Sequence, residues 1–504
     1  MRRRLSVAVP YVLLSLLVVL LLTWKLGMYP LLWYDEGSRI NLSRTFLETG
    51  VFATYSSNGF HPFNAWVIAN PLDVLSTAGA MLILGNSAAD FRLAMMPFTL
   101  LGILLIILLS RQMFGKCAGW VAALAVLAAP PLMGSGFLLI GRQNLIENSS
   151  FALLMLSFYL WFHAWDTRKA GWSWLGGIVL GLALISNFPL MIWVLPTLTL
   201  IWLGRWFQNR KRSAPEIAQI VAALIVIISW YGVSFLFTPE ASRGLNLATL
   251  GDSARQQLFN GLGGKILTTT SVAMFGVMIL TSWITLMGLF QSPSKQWFTT
   301  PADWKRATLG VSVLLCAFWY FFFSIGWPRY AFAGWMFTLM LLGGWGYQVV
   351  MKTVKWISKE NPWIMKQFHW LIEAGLIMIM LISYGLPLLK VNGPVAVEQT
   401  AQFINTQIPP DALIETTEME LFGVSRHWDF HYPSYEYILD ATKQIYFYRR
   451  NPSIPYNPVA ADPDYLITGP LSDWTGLYWN SGIMEAEFEK ITEFPPYTVF
   501  QRIR

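Results

Sequence analysis

The sequence predicts an α-helical polytopic membrane protein of about eleven transmembrane helices, followed by a C-terminal extracytoplasmic α/β domain. Three observations carry this. Of the 504 residues 55% are hydrophobic and only 12% charged, about half the charged share of a soluble domain. Eleven apolar runs are long enough to be read as bilayer-crossing helices. The gaps between them alternate, every second gap being basic.

The runs fall at roughly 6–28, 88–112, 117–137, 144–164, 172–187, 189–206, 216–237, 266–290, 307–325, 331–351 and 370–389. Arg2, Arg3 and Arg4 precede the first, which lacks a small-residue cleavage site and reads as a retained anchor with its N-terminus inside. The even-numbered gaps then lie in the cytoplasm. They hold Arg111 and Lys116; Arg168 and Lys169; Arg210, Lys211 and Arg212; Lys295, Lys305 and Arg306; and Lys352, Lys355, Lys359 and Lys366. The apolar segment 74–84 is too short to span and reads as interfacial; counting it as a span would turn every later basic loop outward. Around Ser186-Asn187-Phe188-Pro189 the pattern fits either two helices or one long kinked helix. The 25 Trp and 19 Tyr suit the headgroup zone.

Residues 391–504 contain no spanning run. They carry 15 acidic and 7 basic residues, net −8, which leaves net +15 on the first 390. That basic excess belongs to membrane-flanking loops, so no nucleic-acid partner is expected. In this tail 398–406 reads as a helix, and 412–417, 465–468 and 497–502 read as strands. Asp462-Pro463-Asp464 has the spacing of a metal-binding D-x-D, but a proline turn before a strand accounts for it. Cys117 and Cys316 both lie in apolar runs, which excludes a disulfide framework and a Cys-rich metal site in the polar parts.

The outward loops gather the ionisable residues. The first, about 29–87, holds Trp33-Tyr34-Asp35-Glu36-Gly37-Ser38-Arg39, His61 and Asp73. A second holds Arg142 and Glu147, and a short one holds Trp327-Pro328-Arg329-Tyr330. Two carboxylates at the mouth of a membrane helix are costly without a purpose. Adjacent helical residues point about 100° apart, so one of Asp35 and Glu36 can face the protein and the other water. Arg142 and Arg329 suit an anion, which a guanidinium holds bidentately, although arginines at helix ends also snorkel. Glu147 can orient a substrate, bind a metal or pair with Arg142 about a turn away. His61 reads equally as a surface-loop histidine.

Together these residues resemble the membrane-embedded GT-C glycosyltransferases that use polyprenyl-phosphate sugars, most nearly the bacterial galacturonosyltransferase/protein O-mannosyltransferase-like and aminoarabinose-transferase-like branch. The resemblance rests on the Asp35-Glu36 pair, Asn70-Pro71-Leu72 at an interfacial helix start, Gly85 to Arg92-Leu93, Arg142 to Glu147, and Pro328-Arg329-Tyr330. Where the family often has His-Pro-Pro-Leu, this chain separates His61-Pro62-Phe63 from Asn70-Pro71-Leu72, and it has Glu147 where Asp is common. The order of motifs agrees over most of 1–350; the tail lies outside it.

The resemblance implies an inner-membrane, multi-pass enzyme whose active site faces the extracytoplasmic side. It would move a sugar from a polyprenyl-phosphate donor to a hydroxyl of a lipid, glycan or protein acceptor, with inversion. Asp35 would be the base, with Glu36 as its partner or a metal ligand and Glu147 as a helper. Arg142, Arg329, Tyr330 and His61 would bind substrate. No cofactor is called for with certainty; a divalent metal stays open. The competing readings are a transporter or flippase, or a non-catalytic scaffold. A transporter favours mid-membrane charges and internal repeats, whereas here the charges cluster at one rim.

Overall fold

Apolar runs that must satisfy their own backbone inside a bilayer have the helix as their open solution. The computed structural model of the chain follows it, describing residues 2–62, 71–131, 135–208, 214–237, 268–290, 300–359, 361–446, 451–479 and 482–503. In order these form α1 (Arg2–Thr23), α2 (Tyr34–Thr49), the antiparallel hairpin of β1 (Ala53–Ser56) and β2 (Gly59–Pro62), α3 (Pro71–Leu84), α4 (Ala88–Leu93), α5 (Met96–Phe114), α6 (Lys116–Leu127) and the single turn α7 (Phe137–Ile140). Then come α8 (Ile146–Thr167), α9 (Ala170–Ser186), α10 (Pro189–Gln208), α11 (Ala214–Phe237), α12 (Thr269–Phe290), α13 (Pro301–Phe322) and α14 (Phe332–Ile357). α15 (Pro362–Met380) runs through a π-turn into α16 (Leu386–Lys390).

Every apolar run read from the sequence falls on a helix. Among the described residues six segments are long and apolar enough to cross a membrane: Ala88–Phe114, Pro189–Gln208, Ala214–Leu236, Thr269–Gly288, Pro301–Phe322 and Pro362–Lys390. Several boundaries differ from expectation, and two of them have a plain local cause. The run at 117–137 stops being helical at Leu127, ahead of Pro130 and Pro131, which cannot continue a helix. α13 starts at Pro301, not 307, because Thr300 and Asp303 close a capping box: Asp303 N donates to Thr300 Oγ1 at 3.2 Å and Thr300 N to Asp303 Oδ2 at 3.1 Å.

The ambiguity at 186–189 resolves as two helices. The backbone leaves helical geometry at Asn187 (φ −145°, ψ 88°). Glu216 at the start of α11 pairs with Arg205 at the end of α10 (2.5 Å) and accepts from Trp165 Nε1 at the end of α8 (2.9 Å). The ends of α8 and α10 therefore lie at one face, and α9 begins beside the end of α8, so α9 leads away and α10 returns. Lys305 of α13 reaches Asp166 at the same face (2.7 Å).

At the opposite face lies the tail: α17 (Ala396–Gln407), β3 (Ile414–Thr416), α18 (Glu420–Val424), β4 (Phe430–His431), α19 (Tyr435–Tyr446), β5 (Tyr465–Thr468), α20 (Pro470–Thr475), α21 (Ile483–Glu487), β6 (Phe488–Phe494) and β7 (Tyr497–Arg502). The sheet order is β4-β3-β5-β7-β6, with β3 parallel to both neighbours and β7 antiparallel to β5 and β6. Strand alternation divides its side chains. Ile414, Ile467, Tyr497 and Val499 pack with Ile40, Met81 and Phe91 of the first loop and α4. Leu466 and Phe500 pack under Tyr456, Leu477 and Tyr478 on the other side.

Residues 391–504 thus share one apolar core with the loop that carries the acid pair. Arg44 of α2 adds a polar clamp, donating to the carbonyls of Phe422, Ser425 (3.0 Å), Arg426 (3.2 Å) and His427 (3.2 Å). Its guanidinium also lies over the rings of Phe422 (4.4 Å) and Trp428 (4.9 Å). α2 and α18 touch through backbone: a Cβ on Gly37 would meet Met419 C at 2.8 Å, with Glu420 N closer still.

Candidate active site

α2 places the acids. Trp33 is its extended N-cap, and Asp35 and Glu36 occupy the first turn, where the helix dipole favours negative charge. Consecutive positions send the two side chains different ways, but neither faces water: Asp35 is 7% exposed and Glu36 fully buried. The expectation of one solvent-facing acid fails because the tail and the 141–145 loop cover this turn.

Glu36 is fully engaged by protein. Arg92 Nε donates to its Oε1 at 2.9 Å and Arg92 Nη2 to its Oε2 at 2.7 Å, a two-pronged ion pair. The Asn144 amide adds a third donor at 2.8 Å. Arg92 Nη1 binds the carbonyls of Leu26 (2.8 Å) and Pro30 (2.7 Å), tying down the end of the α1–α2 link.

Arg142 was expected to hold an anion or pair with Glu147. Its donors go instead to four backbone carbonyls, those of Leu21, Trp24 (2.8 Å), Lys25 (3.1 Å) and Tyr29 (3.0 Å). These include the orphan carbonyls at the end of α1, which helix geometry leaves without partners. The guanidinium acts as a C-cap from across the fold.

Arg329 stands differently. It sits in a 3₁₀ turn, Pro328–Ala331, and its Nη1 forms an ion pair with Asp35 Oδ2. The rings of Trp33 (5.1 Å), Trp327 (5.9 Å) and Tyr330 (5.9 Å) surround the cation. Its buried Nε has no hydrogen-bond partner among the described residues, so part of the fork is unspent. Tyr330 lies in the same group, and burial pushes its hydroxyl up to about 12.

Glu147 occupies the first turn of α8, buried, and its Oε2 has no hydrogen-bond partner among the described residues. Its charge acts on Arg329 and Tyr330. Asp35, Glu147, Arg329 and Tyr330, from three separate loops, therefore converge. His61 is not among their partners. It faces Thr54 in the hairpin, and its ring meets Ser56 Oγ at 3.2 Å.

Residues 70–231, about a third of the chain, match the family model described as dolichyl-phosphate-mannose-protein mannosyltransferase. No curated protein sequence matches the chain. Over nearly the whole length the structure resembles ArnT from Cupriavidus metallidurans bound to undecaprenyl phosphate, with TM-score 0.66, 14% identity and 98% of each chain covered. It also resembles the Archaeoglobus fulgidus oligosaccharyltransferase in the apo form (TM-score 0.55, 13% identity, 95% of this chain and 72% of that one). A further match is AglB from the same organism in complex with an inhibitory peptide and a dolichol-phosphate (TM-score 0.51, 13% identity, 98% and 74%).

The fold is that of the GT-C glycosyltransferases.

Within this GT-C fold several residues of the site were not singled out from sequence. Arg92 interrupts an otherwise apolar run, and a buried charge there requires a carboxylate partner; that rule would have pointed to Glu36. Asn144 binds Thr77 Oγ1 of α3 (2.8 Å) and the Phe91 carbonyl (3.1 Å), linking three elements in a way that no local pattern reveals. No group of three or more His, Cys, Asp or Glu side chains stands ready to hold a metal among the described residues. Glu36, which the resemblance offers as a metal ligand, is spent on Arg92 and Asn144. Asp462 and Asp464 serve the tail: Asp462 pairs with Arg502, and Asp464 Oδ2 accepts from Leu413 N at 2.9 Å.

Proposed function

We propose that this protein is an inverting glycosyltransferase that moves a sugar from a polyprenyl-phosphate donor to a hydroxyl of a lipid, glycan or protein acceptor. The observation that carries the reading is the Asp35–Arg329 pair, a buried carboxylate beside a partly unspent guanidinium, inside a GT-C fold. Two of the similar structures hold polyprenyl-type phosphates.

Asp35 accepts the proton of the acceptor hydroxyl as its oxygen attacks the anomeric carbon. The bond from that carbon to the phosphate oxygen breaks, and the polyprenyl phosphate leaves with the electron pair. Arg329 holds the charge that gathers on the departing phosphate, through the N–H groups that Asp35 does not use. Donor phosphate also competes with Asp35 for the guanidinium, which frees the carboxylate when the donor is in place. Glu147 orients the acceptor through the oxygen that no described residue engages, and Tyr330 lines the phosphate pocket. Glu36 and Arg142 hold the scaffold: Glu36 fixes Arg92 and the 144 loop, and Arg142 fixes the end of α1.

In the same reading the chain crosses an inner membrane eleven times with its N-terminus in the cytoplasm. The site and the tail then face the extracytoplasmic side, as the loop lysines and arginines favour. The test offers membranes carrying the protein a panel of polyprenyl-phosphate sugars, with the anomeric configuration of the product determined. Transfer from one donor with inverted configuration is expected. Retention, or a trapped sugar–enzyme adduct on Asp35 or Glu147, would mean a covalent two-step route and overturn the roles of both acids.

A further inference from the structure

Asp35 stands on α2 and Glu147 on α8, and neither helix alone sets the distance between the two acids. A contact from Arg39 crosses that gap. Arg39, one turn along α2 from Asp35 and buried, folds back so that its Nη1 donates to the Asp35 carbonyl and, at 3.3 Å, to the Asn144 carbonyl. Asn144 lies three residues before Glu147, and the intervening Leu145 is the N-cap of α8. One nitrogen therefore holds both the turn that carries the base and the entry to the helix that carries the second acid.

Asn144 is itself fixed by three further bonds. Its amide nitrogen donates to Glu36 Oε1 (2.8 Å), and its side-chain Nδ2 donates to Thr77 Oγ1 of α3 (2.8 Å) and to the Phe91 carbonyl of α4 (3.1 Å). A carbonyl can only accept, so the Phe91 contact sets which way the carboxamide points. Its Oδ1 is then buried with no hydrogen-bond partner among the described residues. An unpaired buried acceptor is destabilising, a cost that stability alone does not explain.

We propose that Arg39 and Asn144 are positioning residues, a strap from α2 to the start of α8 that holds Asp35 and Glu147 at their working separation. This deepens the glycosyltransferase reading and rests on it for the reaction, not for the strap. Asn144 has no exposed surface, so it acts through the backbone that carries the acids. A small displacement of a reacting group is enough to slow a step by about ten- to a hundredfold.

The test compares the full-length protein with Arg39→Met, Arg39→Lys and Asn144→Ala in lipid nanodiscs and reads two signals. Arg39→Met keeps the apolar stem and removes the donors; Arg39→Lys keeps the charge and one donor group. The first signal is amide hydrogen exchange over 34–37 and 144–148. Arg39→Met should speed exchange in both segments together, and Arg39→Lys should do so less. The second is turnover: Arg39→Met and Asn144→Ala should lose about ten- to a hundredfold in kcat with donor KM held within a few-fold, and Arg39→Lys should recover part of the loss. Thr77→Val removes only one acceptor of Asn144 Nδ2; it should show the same pattern more weakly, and it remains readable if Asn144→Ala fails to fold. Exchange unchanged in either segment of Arg39→Met, or turnover that falls only as far as the folded fraction does, overturns the proposal. If both segments loosen together while the unmodified protein transfers no polyprenyl-phosphate sugar, the strap stands and the glycosyltransferase reading fails by itself.

Discussion

The Asp35 carboxylate and the Arg329 guanidinium meet across 294 positions of sequence, one from the first loop and one from the turn before α14. Arg329 uses one nitrogen on the acid and keeps Nε unpartnered among the described residues. Arg329→Ala should therefore weaken handling of a polyprenyl-phosphate donor by about ten- to a hundredfold, the usual loss of a charge-assisted partner. Arg329→Lys should recover only part, since an ammonium lacks the fork. Donor titration of both variants checks this; unchanged donor kinetics in Arg329→Ala would reduce the residue to an anchor.

Glu36 and Arg142 should behave otherwise. Glu36→Gln leaves the fully buried Arg92 without its counter-ion, and breaking such a pair costs about 3–5 kcal/mol. Arg142→Ala strands the carbonyls at the end of α1. Both should lower the thermal midpoint markedly, while the folded fraction binds undecaprenyl phosphate close to normally. Loss of lipid-phosphate affinity in Arg142→Ala without loss of stability would return that arginine to the substrate site.

The junction of tail and membrane part should depend on two crossings. Gly37→Ala drives a methyl into the backbone of α18, and Arg44→Ala removes four carbonyl contacts. Overpacking of this kind costs about 1–3 kcal/mol. Limited proteolysis of the 391–395 link in full-length protein should speed up in both variants; equal rates would mean that the tail is held elsewhere.

That junction should also respond to pH. Glu420 is fully buried beside Glu418 and Glu36, accepts from Tyr497 Oη at 2.9 Å, and lies near Tyr432. Burial first, then the neighbouring carboxylates, push its pKa well above its ordinary 4.5. A raised carboxyl favours the docked state fully below 4.5 and progressively less as pH rises towards its docked value. Docking, followed by proteolysis of the link, should thus weaken with rising pH in the unmodified protein and lose that trend in Glu420→Gln. The same slope in both would exclude Glu420 as the responsible group.

Much of the helical architecture was legible because bilayer-length apolar runs and basic loops leave few other arrangements. The convergence of Asp35, Glu147 and Arg329 was legible for the same reason, as charges gathered at one rim. What the sequence hid was the partner of each charge. Arg142 reads as an anion holder until four carbonyls, which have no letter in a sequence, prove to be its ligands. One of Asp35 and Glu36 reads as able to face water until the fold buries both. In the tail, β4 spans only two residues, and Phe488–Phe494 is an edge strand whose alternate polar positions mask it.

The proposed reaction turns on Asp35 as the base. The measurement that tests this most directly compares sugar transfer and undecaprenyl-phosphate binding in the unmodified protein and in Asp35→Asn. Turnover should fall by about 10²–10⁴ in the variant, with lipid-phosphate affinity held within a few-fold. Transfer by Asp35→Asn at the unmodified rate would contradict the assignment.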